Sequence, residues 1–539
     1  MIDSIDGSGG FGDGTRVTEA RLPDLSRLGL FLLATLRVLF HFVANWFDGY
    51  GIFRDEYYYL ACSKHLAWGY VDHPPFSVLL LALQTAVFGD SLFALRILPA
   101  VAGGASVFLV GAIAREFGAG RYGQLLAGLF AFLAPSWLAF AGYYSMNVLD
   151  LVFWAAIVLV AAKLIRAQAD PVGPGWKLWG VFGALVGLGL LNKLSVLWLA
   201  AALGISIIVT PQRRLLFSRG RFLGAGIVVL LVAPFVYWQV AHGWPTREFI
   251  HNAQTYKNTV QTPLSFLVGV MLEMNPAMVL LWILGLVYLF LPGSSVPGYR
   301  VHLRWAGLTA VLVLAYLTLS RTAKPYYADT TFVLILPAAA RACEAWFTGR
   351  IRFLKVLVPV HAVISGCIVL PFALPILPPE PYVAYADRLG ISEKSSERSE
   401  LGALPQFYAD RFGWEELAVM VSGAYDTLSP NEQKLCAVFA DNYGEAASLE
   451  YFRGKYDIPT VLSGHNSYWY WGPGDVTGAV MIVLDSSREQ LEELFDSVEL
   501  YGTKTCTWCM PYENDLPVWI CRGMHVPIEQ IWAGQKAFI

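Results

Sequence analysis

A polytopic α-helical membrane protein of about 11 transmembrane helices, with a soluble α/β domain at its C-terminal end, is the fold class this sequence predicts, and three observations predict it. Of the 539 residues, 56% are hydrophobic and only 15% are charged, whereas a soluble surface needs roughly a quarter of its residues charged. Apolar runs of about 20 residues, the length that crosses a hydrocarbon core of about 30 Å, recur between Leu28 and Ala373. The net charge of −3 is also unevenly divided: residues 1–379 carry 27 Lys and Arg against 17 Asp and Glu, and residues 380–539 carry 11 against 24. An aromatic content of 14% and only seven cysteines exclude a disordered chain and a small disulfide scaffold.

Residues 1–27 are polar and rich in Gly, Ser and Asp, with no cleavage pattern behind a short apolar core, so they read as a cytoplasmic tail leading into a retained helix. Eleven runs follow, near 28–47, 94–114, 123–141, 148–165, 178–192, 194–210, 222–241, 264–290, 305–319, 330–347 and 354–373. Lys and Arg between the runs set the orientation, because positive charge is retained in the cytoplasm. Eighteen cations, from Arg16, Arg21 and Arg27 through Arg300 to Lys355, fall on the N-terminal side of the membrane and eight on the other. The N-terminus is therefore expected inside and, after an odd number of crossings, residues 380–539 outside.

That tail begins beyond the Pro-rich stretch Pro371–Pro381. Strands are expected at Lys434–Ala440, Thr460–Ser463 and Val480–Leu484, with helices at Gly444–Tyr456 and Arg488–Ser497, an alternation that favours a small layered sheet. Cys506 and Cys509 form a C-x-x-C, open to a disulfide, to free thiols or to a metal or redox role. Asp441, Asn442, His465, Asn466 and the run Tyr468-Trp469-Tyr470-Trp471 could bind a carbohydrate or simply pack.

The ionisable groups of the membrane part gather on one side. The first long outer loop, 48–93, opens with Phe53-Arg54-Asp55-Glu56-Tyr57-Tyr58-Tyr59, continues with Asp72-His73-Pro74-Pro75 and ends in the amphipathic stretch Phe76–Phe88, expected to lie along the interface. Later turns on that side add Asn147 and Asp150, Lys193, the stretch His242 to Lys257, and Arg321, Lys324, Tyr326 and Tyr327. Channels distribute polar groups through the depth of the membrane; only Arg37, Glu273 and a few others lie deep here, and His41 reads as a core residue. Tyr57 and Tyr59 read as interfacial belt residues. Asp150 is open to a helix-capping reading and Lys193 to simple snorkelling.

Carboxylates and cations on one face suit sugar transfer from a lipid-linked phosphate. That chemistry needs a base for the acceptor hydroxyl and positive charge for the departing phosphate. Over roughly residues 28–345 the chain resembles the glycosyltransferase family that contains protein O-mannosyltransferases and the bacterial aminoarabinose transferase acting on lipid A, both of the GT-C membrane fold. The residues that carry the resemblance are Arg54-Asp55-Glu56, the charged residue before Pro74, Asp150 after Asn147, Lys193, His242-Gly243-Trp244-Pro245 with Glu248-Phe249 and Asn252-Ala253, and Lys324-Pro325-Tyr326-Tyr327.

The resemblance implies an inverting transfer, in a bacterial inner membrane, from a polyprenyl-phosphate sugar to a hydroxyl of a lipid, glycan or protein acceptor on the extracytoplasmic side. Nucleic acid has no part in it. It implies Asp55 as the catalytic carboxylate, with Glu56 and Asp150 supporting, and a donor phosphate held by Arg54, Lys193, Arg321, Lys324, Tyr326 and Tyr327. Relatives commonly place Lys where this chain has His73, and a neutral imidazole is the poorer phosphate ligand. With Asp72 and His251, His73 could instead hold a divalent metal cation. The alternative function, a transporter or flippase of a lipid-linked precursor, predicts two halves related by a repeat; none is visible in the sequence.

Overall fold

The computed structural model describes residues 22–47, 49–169, 173–296, 301–391 and 397–539. Arg16, Arg21 and Arg300 of the charge count, and most of the 1–27 tail, lie outside the described residues. Each of the eleven apolar runs is helical, but they are not eleven equal crossings. Among the described residues five helices are long and apolar enough to span: Arg27–Trp46, Leu92–Glu116, Met146–Gln168, Gly220–Ala241 and Gly349–Ala373, rising to seven if each of two bent pairs is one span.

The bends have local causes. The run 264–290 is not one helix; Pro263–Glu273 and Pro276–Phe290 meet at 98°. Between them Asn275 adopts φ +80°, and its amide donates to the Ser365 hydroxyl at 3.0 Å, while Pro276 lacks the N–H that would continue the ladder. The run 123–141 likewise breaks where Arg121–Leu133 ends and Pro135 starts the helix Pro135–Phe140. Arg37, inside the first span, is fully buried and donates to His41 Nε2 at 3.0 Å and to the carbonyls of Ala131 and Phe132, so the two residues pair with each other and with the neighbouring helix, while Arg37 Nη2 and His41 Nδ1 stay without a hydrogen-bond partner among the described residues.

The loop 48–93 folds into the helices Arg54–Lys64 and Phe76–Phe88, the second matching the expected amphipathic stretch residue for residue. Arg54–Lys64 starts with Asp55 and Glu56 in its first turn, where the exposed N–H groups favour negative charge. Glu56 folds back to accept from the Phe53 N–H at 2.9 Å.

The C-terminal domain holds a five-stranded sheet of order β2-β1-β3-β5-β4: β1 (Cys436–Phe439) lies parallel to β2 (Thr460–Leu462) and β3 (Val480–Leu484), and β5 (Leu516–Met524) runs antiparallel to β3 and β4 (Phe495–Lys504). The first three strands are those expected from their β-branched runs. The last two escaped the sequence reading because β4 alternates without a large apolar face, and the helix expected at Arg488–Ser497 ends at Glu492 so that the chain can enter it. All seven cysteines are free thiols.

This domain is not a separate globule. Trp414, Leu417, Val421, Val438, Leu449, Ile482 and Ile520 share one apolar core with Tyr57, Tyr58, Tyr59, Leu60 and Cys62 of the helix Arg54–Lys64. Tyr57 and Tyr59, read from sequence as belt residues, are thereby buried: Tyr57 packs edge-on against Trp414 and Tyr451, and Tyr59 stacks on His73 with ring centroids 4.8 Å apart. Their rings serve the seam between the domains, which a local reading cannot distinguish from a membrane belt.

Candidate active site

Asp55 sits on the first turn of Arg54–Lys64, half-buried under the C-terminal domain. Its Oδ1 accepts from the Tyr443 hydroxyl at 2.9 Å. Burial pushes its carboxyl above the usual range, and Asp72 adds to the shift; the Tyr443 hydrogen bond and the charges of Arg54 and Lys257 oppose it. Two cations complete the surroundings. Lys324 Nζ lies 2.6 Å from Glu397 Oε1 and Lys257 Nζ 4.0 Å from the same oxygen. Burial works against the charge on Lys324, yet Glu397, Tyr327 and Asp55 together hold it above its ordinary value. Lys257 is held below its own, first by burial and then by the charges of Lys324 and Arg54, against the pull of Glu397 and Asp55. The two lysines act together on Glu397, whose pKa falls to about 2 although burial alone would raise it.

The backbone fixes this cluster. An isolated bridge pairs Asn258 with Glu397, the Arg398 N–H donates to the Lys257 carbonyl at 2.9 Å, the Gln261 N–H to the Arg321 carbonyl at 2.7 Å, and the Asn258 amide to the Thr322 carbonyl at 3.1 Å. Three distant stretches, 257–261, 321–324 and 397–398, are thus laced beside Asp55.

The other expected site residues separate into groups. Lys193 donates to Asn147 Oδ1 at 2.7 Å and lies 3.8 Å from Asp150 Oδ2, with its ammonium 5.8 and 5.4 Å from the ring centres of Tyr326 and Tyr327. Asp150 Oδ2 also accepts from the Ser195 hydroxyl at 2.6 Å. Asp150 is therefore an anchor for the Lys193 turn and not a cap of its own helix, whose N-cap is Ser145.

Glu56 does not face the cluster. Fully buried, it binds Arg96 through Oε1 at 3.2 Å and Oε2 at 3.0 Å and accepts from the Tyr144 N–H at 2.7 Å, so its role is structural where the sequence suggested direct support of Asp55. Arg54 also departs from the phosphate role. It donates to the Tyr512 hydroxyl at 2.8 Å, lies 4.7 Å over the Tyr443 ring, and although burial works against its charge is held above its ordinary value by Tyr512, Tyr443, Asp410 and Glu513 of the C-terminal domain. Arg321 is exposed at φ +61° and contributes its carbonyl to the lacing.

The expected metal trio does not assemble. His73 is 2% exposed, with Nε2 3.9 Å from Asp72 Oδ1, and Asp72 accepts from Tyr58 at 3.0 Å. His251 is exposed on the helix Pro245–Asn252, and among the described residues no three His, Cys, Asp or Glu side chains converge as one ion's ligands. Asp72, His73 and His251 therefore do not fit one divalent cation.

Sequence reasoning missed Lys257, Glu397, Tyr443 and Asp410. Lys257 ends a polar loop and carried a weak signal. The other three lie in the acidic tail, where nothing local points back to Asp55.

The C-x-x-C lies at the edge of the same seam. Cys506 is half-buried, with the Cys509 N–H donating to its sulfur at 3.2 Å, and its pKa falls to about 7 through the Cys509 thiol, backbone N–H groups and nearby Lys504. Cys509 is buried and pushed upward. Alkylation by iodoacetamide near neutral pH, read by peptide mass spectrometry, is expected to label Cys506 before Cys509.

The chain is similar to several known proteins. Residues 72–238 match the family described as dolichyl-phosphate-mannose-protein mannosyltransferase. The undecaprenyl phosphate-alpha-4-amino-4-deoxy-L-arabinose arabinosyl transferase of Pseudomonas savastanoi is 30% identical over 32% of this chain, a match that spans 31% of that relative's length. The lipid A galacturonosyltransferase RgtD of Rhizobium johnstonii is 22% identical over 82% of this chain and 87% of its own. Among solved structures, ArnT from Cupriavidus metallidurans bound to undecaprenyl phosphate superposes with a TM-score of 0.59 over 92% of this chain and 98% of its own, at 14% identity. The mycobacterial arabinofuranosyltransferase AftD gives 0.54 over 94% of this chain and 41% of its own. The fold is that of the GT-C membrane glycosyltransferases, as the sequence resemblance implied.

Proposed function

From that GT-C framework we propose that the chain moves a sugar from a polyprenyl-phosphate donor to an acceptor hydroxyl at the outer face of a bacterial inner membrane, with inversion. The N-terminus is cytoplasmic and the C-terminal domain extracytoplasmic. Asp55 takes the acceptor proton as the acceptor oxygen bonds to the anomeric carbon. The bond from that carbon to the phosphate oxygen breaks, and polyprenyl phosphate leaves with the electron pair. Lys324 and Lys257 receive the developing negative charge, and Lys193 with Tyr326 and Tyr327 lines the approach. A phosphate leaving group needs charge stabilisation more than protonation, so no general acid is required. Two relatives favour the donor class: the Pseudomonas protein is named for an undecaprenyl-phosphate sugar and the Cupriavidus structure holds undecaprenyl phosphate.

One observation carries the reading: Lys257 and Lys324, from two separated segments laced together through the backbone of residues 257–261, 321–324 and 397–398, converge on Glu397 where their charges bear on the Asp55 carboxylate at the start of the helix Arg54–Lys64. The test incubates purified protein with a panel of polyprenyl-phosphate sugars and follows release of polyprenyl phosphate. Turnover with at least one donor is expected; none with any donor overturns the proposal. Replacing Lys324 by Met is expected to lower kcat/KM for the donor by about ten- to a hundredfold, the loss of one charged hydrogen bond. Lys257→Met should act in the same direction, and unchanged kinetics in both would remove the pair from phosphate binding.

A further inference from the structure

The C-terminal domain reaches the reacting carboxylate directly, through Tyr443. This residue opens the helix Tyr443–Phe452, whose N-cap Asn442 accepts from the Gly444 and Glu445 N–H groups at 2.9 and 3.1 Å. The Asn442 amide in turn donates to Glu445 Oε1 at 2.9 Å and to Glu513 Oε1 at 3.1 Å, tying the helix start to the segment before β5. The ring is held on three sides: Arg54 lies 4.7 Å over its centre, Tyr58 packs at 4.8 Å and His465 at 4.9 Å. Gly444 makes this approach possible, since a Cβ there would come within 2.6 Å of Arg54 Nε. With the ring so fixed, the hydroxyl donates to Asp55 Oδ1 at 2.9 Å.

We infer that Tyr443 is a positioning residue for the transfer: by occupying Oδ1 it orients the Asp55 carboxylate so that Oδ2 meets the acceptor hydroxyl. The inference rests on the proposed function and assigns the soluble domain a part in the chemistry, beyond any role in acceptor recognition. A carboxylate in a partly dehydrated cleft rotates about its terminal bond unless one oxygen is engaged, and misalignment of a base costs rate without costing donor affinity. The hydrogen bond also favours the charged form of the base, against burial. The other titratable and charged groups whose charges bear on Asp55 are Arg54, Tyr59, Asp72, Tyr143, Lys257, Lys324 and Asp410; the Tyr59 hydroxyl accepts from the Met146 N–H, and it is the Tyr443 hydroxyl that donates to the Asp55 carboxylate.

The test compares wild type with Tyr443→Phe, using whichever polyprenyl-phosphate sugar the wild type turns over, and measures kcat/KM against pH together with undecaprenyl phosphate binding by tryptophan fluorescence. Loss of the donor removes an influence that lowers the carboxyl pKa, so the acid limb is expected to move to higher pH by about one unit. Turnover near neutral pH should fall about tenfold. Undecaprenyl phosphate affinity should stay within about twofold. A limb at the wild-type pH, or a fall in rate that is parallel at all pH values, overturns the inference. Should the Phe variant unfold, 3-fluorotyrosine at position 443 keeps the shape and strengthens the donor; the limb must then move to lower pH, and no movement overturns the inference. Wild type inactive with every donor would sink the proposed function itself, whereas active wild type with an unshifted Tyr443→Phe limb would sink this inference alone.

Discussion

Replacing Asp55 by Asn is expected to lower kcat by about 10³-fold, the middle of the range that general base catalysis contributes. Asn keeps the size of the side chain, and its amide oxygen can still accept from Tyr443, so the cleft retains its geometry. What disappears is the capacity to take a proton. Undecaprenyl phosphate binding should hold or improve, because a negative charge opposite the phosphate is gone while Lys324 and Lys257 stay. Single-turnover release of polyprenyl phosphate from the donor, with binding measured in parallel, separates these effects. Equal turnover in wild type and variant would remove Asp55 from the reaction.

The second large effect concerns stability. Glu56 and Arg96 are both 0% exposed and 3.0 Å apart. Glu56 also holds the Phe53 and Tyr144 N–H groups, and Arg96 the Gly51 carbonyl at 2.9 Å, so this pair pins the start of the helix that carries Asp55 to the segment before the fourth apolar run. Arg96→Ala leaves a buried carboxylate without its countercharge and is expected to cost about 3–5 kcal/mol. Thermal unfolding in detergent, monitored by intrinsic fluorescence, should show a clear fall in Tm. Glu56→Gln, which keeps the shape and part of the hydrogen bonding, should cost less than Arg96→Ala. A Tm unchanged by Arg96→Ala would show that the pair contributes nothing net, as isolated surface pairs often do.

Arg54 shows how the two kinds of charge differ and why the sequence did not separate them. Arg54, Asp55 and Glu56 are consecutive, and on a helix consecutive side chains point about 100° apart. One therefore faces the C-terminal domain, one the cleft and one the core. As a linear motif the three look like a single cluster. In space Arg54 meets Tyr512, Asp55 meets Tyr443, and Glu56 meets Arg96. The division of labour was invisible because each partner is supplied by a segment from 40 to 458 residues away.

The sequence by itself determined what depends on composition and local period: a helical membrane body, an acidic α/β tail beyond the Pro-rich stretch, and a helix at Phe76–Phe88. Those features follow from hydropathy and from apolar spacing, both of which act over a few residues. Only the tertiary structure decided which groups meet. It brought Lys257, Lys324 and Glu397 together beside Asp55, turned Glu56 onto Arg96 and Arg54 onto Tyr512 and the Tyr443 ring, kept His251 away from Asp72 and His73, and set Tyr443 of the tail on the Asp55 carboxylate. The physical reason is that long-range contacts are fixed by how whole helices and the sheet pack, and the apolar core common to Tyr57–Cys62 and the C-terminal domain carries no local signature in either segment.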